Sequence, residues 1–238
     1  MTNKIFVLVV LILIGFTNSI TAQSAEAYNH YGCEKVKEGD NKGAIADFDK
    51  AIELKPNYAD AYDNRGLAKV KLGEFQEAVS DYNKAIELNP KDAEAYCNRG
   101  VVKTILGYHE LAITDFDKAI ALKPNYFMAY CGRGVTKGYL KKFQGAISDF
   151  NKTIKINPTY AEGYCKRAVA YSKLNNYKRM VSDCDTAIQL NPNYGEAYYN
   201  RGIGKISLGN KNSGCSDLTK AIELGYSVAL AAKNDFCK

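Results

Sequence analysis

The interval between Tyr28 and Tyr62 recurs between equivalent residues along this chain, and it constrains the fold more than any other feature. Tyrosine recurs at this spacing, as Tyr28, Tyr62, Tyr96, Tyr130, Tyr164 and Tyr198. Aspartate follows it too, as Asp47, Asp81, Asp115, Asp149, Asp183 and Asp217. All five prolines also keep this step: Pro56, Pro90, Pro124, Pro158 and Pro192. Such self-similarity is typical of stacked repeats, because a small unit cannot bury its apolar face alone and packs against its neighbours.

Each unit has the pattern of two helices. In the unit from Ala59 to Asp92, apolar and small residues recur at helical spacing in two blocks. Leu72-Gly73 lies between the blocks, and a glycine can adopt the left-handed conformation that ends a helix. Pro90 follows the second block and stops it, since proline lacks the backbone N–H that a helix needs. The pattern predicts two antiparallel helices joined by a short turn.

A helix-turn-helix of about 34 residues with aromatic, Gly, Ala, aromatic, Ala and Pro at these offsets resembles the tetratricopeptide repeat (TPR). The resemblance covers nearly all of residues 25 to 228 and gives repeats 25–58, 59–92, 93–126, 127–160, 161–194 and 195–228, followed by a cap over 227–238. It implies an all-α fold, a right-handed superhelical solenoid of six helix-turn-helix units with a C-terminal capping helix. We expect Leu230 and Phe236 of that helix to cover the last face of the array.

The repeats depart from the family pattern at several offsets. Arg replaces the usual Leu before the glycine in repeats two to six, Ala168 replaces the glycine itself, Cys184 replaces the second aromatic residue, and Tyr226 stands where Pro is expected.

The amino terminus has the pattern of a signal peptide. An unbroken apolar run, Ile5 to Phe16, follows Lys4 and precedes a small and polar stretch that ends at Ala22. We predict a signal peptide over residues 1–22, cleavage before Gln23, and export to the periplasm or the exterior. The run is shorter than the roughly 20 residues of a membrane-spanning helix, which makes an uncleaved anchor the alternative.

Composition and motifs argue against catalysis and nucleic-acid binding. The formal net charge is +6, and charges of both signs are interspersed without a basic run that would bind phosphates. His30 and His109 are the only histidines, and neither has Cys or acidic neighbours at metal-ligand spacing. We therefore expect no enzyme, metal site, cofactor, small-molecule substrate or nucleic-acid partner.

The repeated aspartates are accompanied by an arginine series, Arg65, Arg99, Arg133, Arg167 and Arg201. Tyr31 holds this position in the first repeat, which has no predecessor. This coincidence suggests that each Arg reaches the Asp of the repeat before it. The alternative is that both series are separate solvated residues, and under either interpretation they are structural.

Seven cysteines have different expected roles. Cys97, Cys131 and Cys165 form a row at one offset, too widely spaced for disulfides. Cys184 lies at a packing offset and is expected to be buried. Cys215 and Cys237 lie equally far from Tyr226 at a presumed turn, so they would sit at the same height in an antiparallel pair. We predict a disulfide between them in an oxidising compartment; two free thiols are the alternative.

The resemblance implies a concave groove lined by the first helices, in which a polypeptide segment binds. By offset, the groove residues are Asn64, Asn98, Asn200, Val101, Val135, Val169, Ile203, Lys71 and Lys173. Amides can hold a ligand backbone while Val and Ile contact its side chains. Alternatively, the Asn series stacks one repeat on the next. Asn29 and Cys33 replace the Lys and Asn with which some family members grip a terminal carboxylate.

These residues favour a protein-protein interaction scaffold whose partner is a protein or peptide. The rival hypothesis is a structural subunit of an envelope assembly that docks through its convex or terminal faces and leaves the groove idle.

Overall fold

The computed structural model describes residues 24–238, so the signal-peptide prediction for residues 1–22 lies outside the described residues. The described chain consists of thirteen α-helices without a strand. They are α1 (Ala25–Glu38), α2 (Asn41–Leu54), α3 (Ala59–Leu72), α4 (Phe75–Leu88), α5 (Ala93–Ile105), α6 (His109–Leu122), α7 (Phe127–Tyr139), α8 (Phe143–Ile156), α9 (Ala161–Ser172), α10 (Tyr177–Leu190), α11 (Gly195–Ser207), α12 (Lys211–Glu223) and α13 (Val228–Phe236). The predicted all-α fold of helix pairs is confirmed.

Short turns of the expected kind join the two helices of each repeat. Gly73 ends α3 with φ 81°, and its N–H donates to the carbonyls of Lys69 and Val70. In repeats four and five, Lys141 and Asn175 adopt the same left-handed conformation with φ 58° and 57°. A non-glycine residue tolerates this conformation less well, so these two turns have a steric cost that glycine would avoid.

The helices form two compact units, one of the described residues up to Pro90 and one of Lys91–Lys238. Within each unit, successive helices pack side by side, as in a TPR solenoid. The core contains many alanines and at least one large side chain per second helix, such as Phe48 in the first unit and Phe116 and Phe150 in the second. Gly134 permits this packing, because a Cβ there would lie 2.7 Å from the Phe150 ring.

A carboxylate links the two helices of each repeat, and it is buried in repeats two to six. Arg133 on α7 donates from Nε and Nη2 to Asp149 on α8 at 3.0 and 2.6 Å, and Lys137 Nζ lies 2.7 Å from the same carboxylate. The corresponding Arg–Asp pairs are Arg65–Asp81, Arg99–Asp115, Arg167–Asp183 and Arg201–Asp217.

The prediction that each Arg pairs with the Asp of the preceding repeat was wrong. The helices of one repeat run antiparallel, which brings a residue opposite the one 16 positions later. The third guanidinium nitrogen does reach the preceding repeat, but at another offset: Arg201 Nη1 donates to Asp185 at 2.8 Å and Arg167 Nη1 to Asn151 at 2.6 Å. In the first repeat Lys35 alone pairs with Asp47, at 2.6 Å.

The C-terminal helix packs through a face other than the predicted one. Ala229 and Ala232 are buried against Leu218 and Ala221 of α12, whereas Leu230 and Phe236 are 54% and 47% exposed. The expectation that Leu230 and Phe236 cover the array was therefore wrong, because the small alanine face permits a closer approach.

A disulfide joins Cys215 on α12 to Cys237, with a Cα–Cα distance of 5.8 Å. Its formation in the native compartment stays a prediction.

Over residues 24–238, none of the helices combines the length and apolarity that crossing a membrane requires.

Candidate binding groove on the first helices

The first helices α5, α7 and α9 of the second unit present equivalent faces to one side. Val101, Val135 and Val169 occupy the same offset on these helices, and together they line two adjoining concavities. The larger concavity, of about 640 Å³, lies along α5 and α7, and the smaller one, of about 320 Å³, lies along α7 and α9. Val135 and Tyr139 border both. The sequence-predicted Val row is thus brought together.

The larger concavity has an unusually exposed apolar wall. Ile105 is 54% exposed, Tyr139 65% and Met128 44%, and all three line it. Contiguous exposed apolar surface of this kind marks interaction sites in soluble proteins. Sequence reasoning missed these residues, although a comparison of repeats contains the signal: Ile105 and Tyr139 occupy the offset of Lys71 and Lys173.

Polar side chains border the concavities at one end. Glu162 and Tyr160 line the larger concavity, and Tyr160 donates its hydroxyl hydrogen to Glu162. Burial, followed by this hydrogen bond, raises the pKa of Tyr160, which keeps the phenol protonated at neutral pH. Lys166 and Glu196 line the smaller concavity, where Lys166 Nζ lies 3.2 Å from both carboxylate oxygens of Glu196.

The predicted asparagines make contacts within the protein. Asn200 is only 7% exposed, and its amide donates to Cys165 Sγ at 3.5 Å. Asn64 donates to the Asn29 side-chain oxygen of the preceding repeat at 3.1 Å. These contacts fit the alternative interpretation, in which the Asn series stacks successive repeats. Asn98 is half-buried on α5.

The other predicted groove residues are dispersed. Ile203 is partly buried against the core around Met180 and Leu218. Lys173 is exposed and borders the smaller concavity. Lys71 lies on α3 in the first unit and is exposed. Of the predicted groove residues, only the Val row and Lys173 line the two concavities.

The buried cysteines do not supply a nucleophile. Burial raises the pKa of Cys97 and Cys131 to about 12 and that of Cys165 to about 11. Burial also raises the pKa of Cys184. These thiols stay protonated at neutral pH, whereas the thiolate is the reactive form. Across residues 24–238, His, Cys, Asp and Glu side chains form no group of three that could hold a metal ion.

Family models match along much of the chain. The "TPR repeat" model matches residues 32–73 and 66–107, and "Tetratricopeptide repeat" models match residues 93–126 and 150–181. The chain belongs to the tetratricopeptide repeat family. The TPR fold is a general scaffold for protein interactions, and the family is typically non-catalytic. No curated protein matches this TPR chain.

Solved TPR structures share the fold at low sequence identity. The Cut9 complex "APC/C hetero-tetramer Cut9-Hcn1" matches with a TM-score of 0.83 and 17% identity over 92% of this chain, which spans 44% of that one. A tetratricopeptide repeat protein from Parabacteroides merdae matches with a TM-score of 0.73 and 22% identity over 93% of this chain and 86% of that one. YrrB, "a TPR protein with an unusual peptide-binding site", matches with a TM-score of 0.59 and 23% identity over 79% and 97% of the two chains.

Proposed function

We propose that this TPR protein binds an extended polypeptide segment of a partner protein along α5, α7 and α9. The observation that carries the proposal is the pair of adjoining concavities lined by Val101, Val135 and Val169. Exposed Ile105 and Tyr139 continue the apolar surface along the groove.

The physical reason is the match between an extended peptide and a row of apolar sites. Alternate side chains of an extended segment point to one side, so they can enter successive concavities. Burial of each large apolar side chain contributes about 1.5 to 3 kcal/mol before the cost of ordering the peptide is subtracted. YrrB is a TPR protein with an unusual peptide-binding site, and this use of the fold in YrrB agrees with the proposal.

The test compares a groove variant with a variant on a second helix. Val135→Glu places a charge between both concavities, while Leu111→Glu places the same charge on α6, where Leu111 is 57% exposed. Partners are captured from the native compartment with wild type, each variant and Asn98→Ala, and their affinities are then measured. We expect Val135→Glu to weaken binding at least about tenfold and Leu111→Glu to leave it unchanged. Retention of every partner by Val135→Glu, with release by Leu111→Glu, rejects the groove.

A specific observation favours a second candidate function, docking through the terminal face in an envelope assembly. Val228, Leu230 and Phe236 of α13 are exposed at the end of the array, at 56%, 54% and 47%. A partner on this face would be lost in Leu230→Asp and retained in Val135→Glu. The reverse pattern rejects terminal docking.

We further propose that the protein is exported and cleaved between Ala22 and Gln23. The support is the apolar run Ile5 to Phe16 after Lys4 and the small residues that follow it. Mass spectrometry of the protein purified from its native source should find Gln23 as the first residue. Recovery of an intact amino terminus only in the cytosol rejects both export and cleavage.

A further inference from the structure

The proposal of this section rests on the proposed function and concerns the chemistry of the bound segment. We propose that the larger concavity receives a basic side chain, Lys or Arg, of the partner polypeptide. Its aliphatic stem would lie on Ile105, Met128 and Val135, and its charged group on the Glu162 carboxylate.

The chain itself contains the template for this interaction. Lys166 on α9 reaches the first turn of α11 in the next repeat, where its ammonium lies 3.2 Å from each oxygen of Glu196. Both groups are partly buried, with side-chain exposures of 27% and 25%. A carboxylate at the start of a first helix can thus bind an ammonium that lies on the preceding repeat.

One repeat earlier, the carboxylate remains but its cation is replaced by glycine. Glu162 is equivalent to Glu196, and Gly132 is equivalent to Lys166, since each pair is separated by one full period. Within residues 24–238, no lysine or arginine forms an ion pair with Glu162, whose hydrogen bond comes from Tyr160. Lys166 lies one turn further along α9 and has a Coulomb interaction with Glu162, but its ammonium forms its ion pair with Glu196. Gly132 and Glu162 both line the larger concavity.

In the observed packing, the Phe116 ring occupies the space where a side chain at Gly132 would begin. A Cβ at Gly132 would lie 2.6 Å from the Phe116 ring, which is fully buried and also lines the concavity. An internal side chain is therefore excluded unless Phe116 moves, while a side chain that enters from solvent is not.

The other residues around the concavity suit a cation with an apolar stem. Its lining contains aliphatic residues, the rings of Phe116, Tyr139 and Tyr160, one carboxylate and no Lys or Arg. The imidazole of His109 also lines it and stacks on Tyr139 with ring centroids 5.3 Å apart. Aromatic faces attract ammonium and guanidinium groups, and a carboxylate adds a charge-assisted hydrogen bond. Acidic residues also begin most other first helices, where they suit the helix dipole, as Glu94 does on α5. Glu162 differs from Glu94 because it lines the concavity.

The test titrates two defined peptides, acetyl-Val-Lys-Val-amide and its uncharged norleucine counterpart, into the full chain and follows backbone amide signals by NMR. We expect the lysine peptide to shift the signals of residues around the larger concavity and to bind about tenfold more tightly than the norleucine peptide. Glu162→Gln should remove this difference. Glu94→Gln, at the equivalent position of repeat three, should preserve it.

A charge swap sharpens the test. Glu162→Lys should no longer bind the lysine peptide and should instead bind a third peptide, acetyl-Val-Glu-Val-amide. Equal binding of lysine and norleucine peptides, an unchanged ratio in Glu162→Gln, or no shift up to the solubility limit overturns the basic-side-chain proposal. n-Butylamine that binds as tightly as the lysine peptide also overturns it, by indicating a small amine as the ligand. The groove itself is tested separately by Val135→Glu, whose effect on the captured partner does not depend on these peptides.

Discussion

Arg133 on α7 donates two hydrogen bonds to Asp149 on α8, from Nε at 3.0 Å and Nη2 at 2.6 Å. Only 4% of the Asp149 side chain is exposed, and Lys137 also contacts its carboxylate. Each described repeat has a cation on this aspartate, and repeats two to six use the same arginine offset. This link holds the two helices of a repeat in register through charged groups that have lost most of their water.

The first prediction is that Asp149→Asn destabilises the protein by about 2 to 4 kcal/mol. Removal of the carboxylate charge leaves Arg133 and Lys137 without their common partner in a partly buried site. Urea unfolding measures the loss. Asp117→Asn is the control, because Asp117 contacts Arg133 alone and its side chain is 54% exposed, so we expect a loss below about 1 kcal/mol. Equal losses in the two variants contradict this explanation.

The second prediction uses two glycines of α7 that differ in their surroundings. Gly134→Ala should destabilise by about 1 to 3 kcal/mol, because its Cβ would lie 2.7 Å from the Phe150 ring. Gly138→Ala should stabilise by about 0.5 to 1 kcal/mol, since its Cβ meets no atom within 4 Å and alanine favours a helix. Thermal and urea unfolding distinguish the two. A stabilised Gly134→Ala variant shows that Phe150 can shift without cost.

The third prediction concerns the order in which the thiols react. Burial raises the pKa of all five free thiols, but Cys33 is only half-buried, whereas Cys97, Cys131, Cys165 and Cys184 are buried. The native protein should therefore be alkylated first at Cys33, and at the other four only after unfolding. Peptide mapping after timed labelling at neutral pH provides the measurement. Rapid labelling of Cys184 in the folded protein contradicts the assigned burial.

The fourth prediction is that the Cys215–Cys237 disulfide forms in the protein from its native compartment and retains α13 on α12. Cys237→Ser should accelerate hydrogen exchange in α13 and lower the stability of the terminal repeat by about 3 kcal/mol in the chain-entropy account. Cys33→Ser should change neither quantity. Non-reducing peptide mapping checks the bond itself, and recovery of Cys215 and Cys237 as free thiols excludes it.

The sequence alone determined the secondary structure and the equivalence of residues between repeats. Helix ends depend on local chemistry: Gly73 takes the left-handed turn after α3, and Pro90 follows shortly after the end of α4. The constant period then identifies the family and places Val101, Val135 and Val169 at one offset. These properties follow from interactions between near neighbours and from repetition, both of which are visible in a linear pattern.

Only the tertiary structure decided which equivalent residues meet. The register of antiparallel helices brought Arg133 to Asp149 of its own repeat, although the offset pattern suggested the repeat before. Close packing buried the alanine face of α13 and left Leu230 exposed. It also buried Asn200 and opened the concavity beside Gly132 and Glu162. Such outcomes depend on side-chain volume and distance between helices, which periodicity does not encode, because a repeat pattern gives the position of a residue without its surroundings.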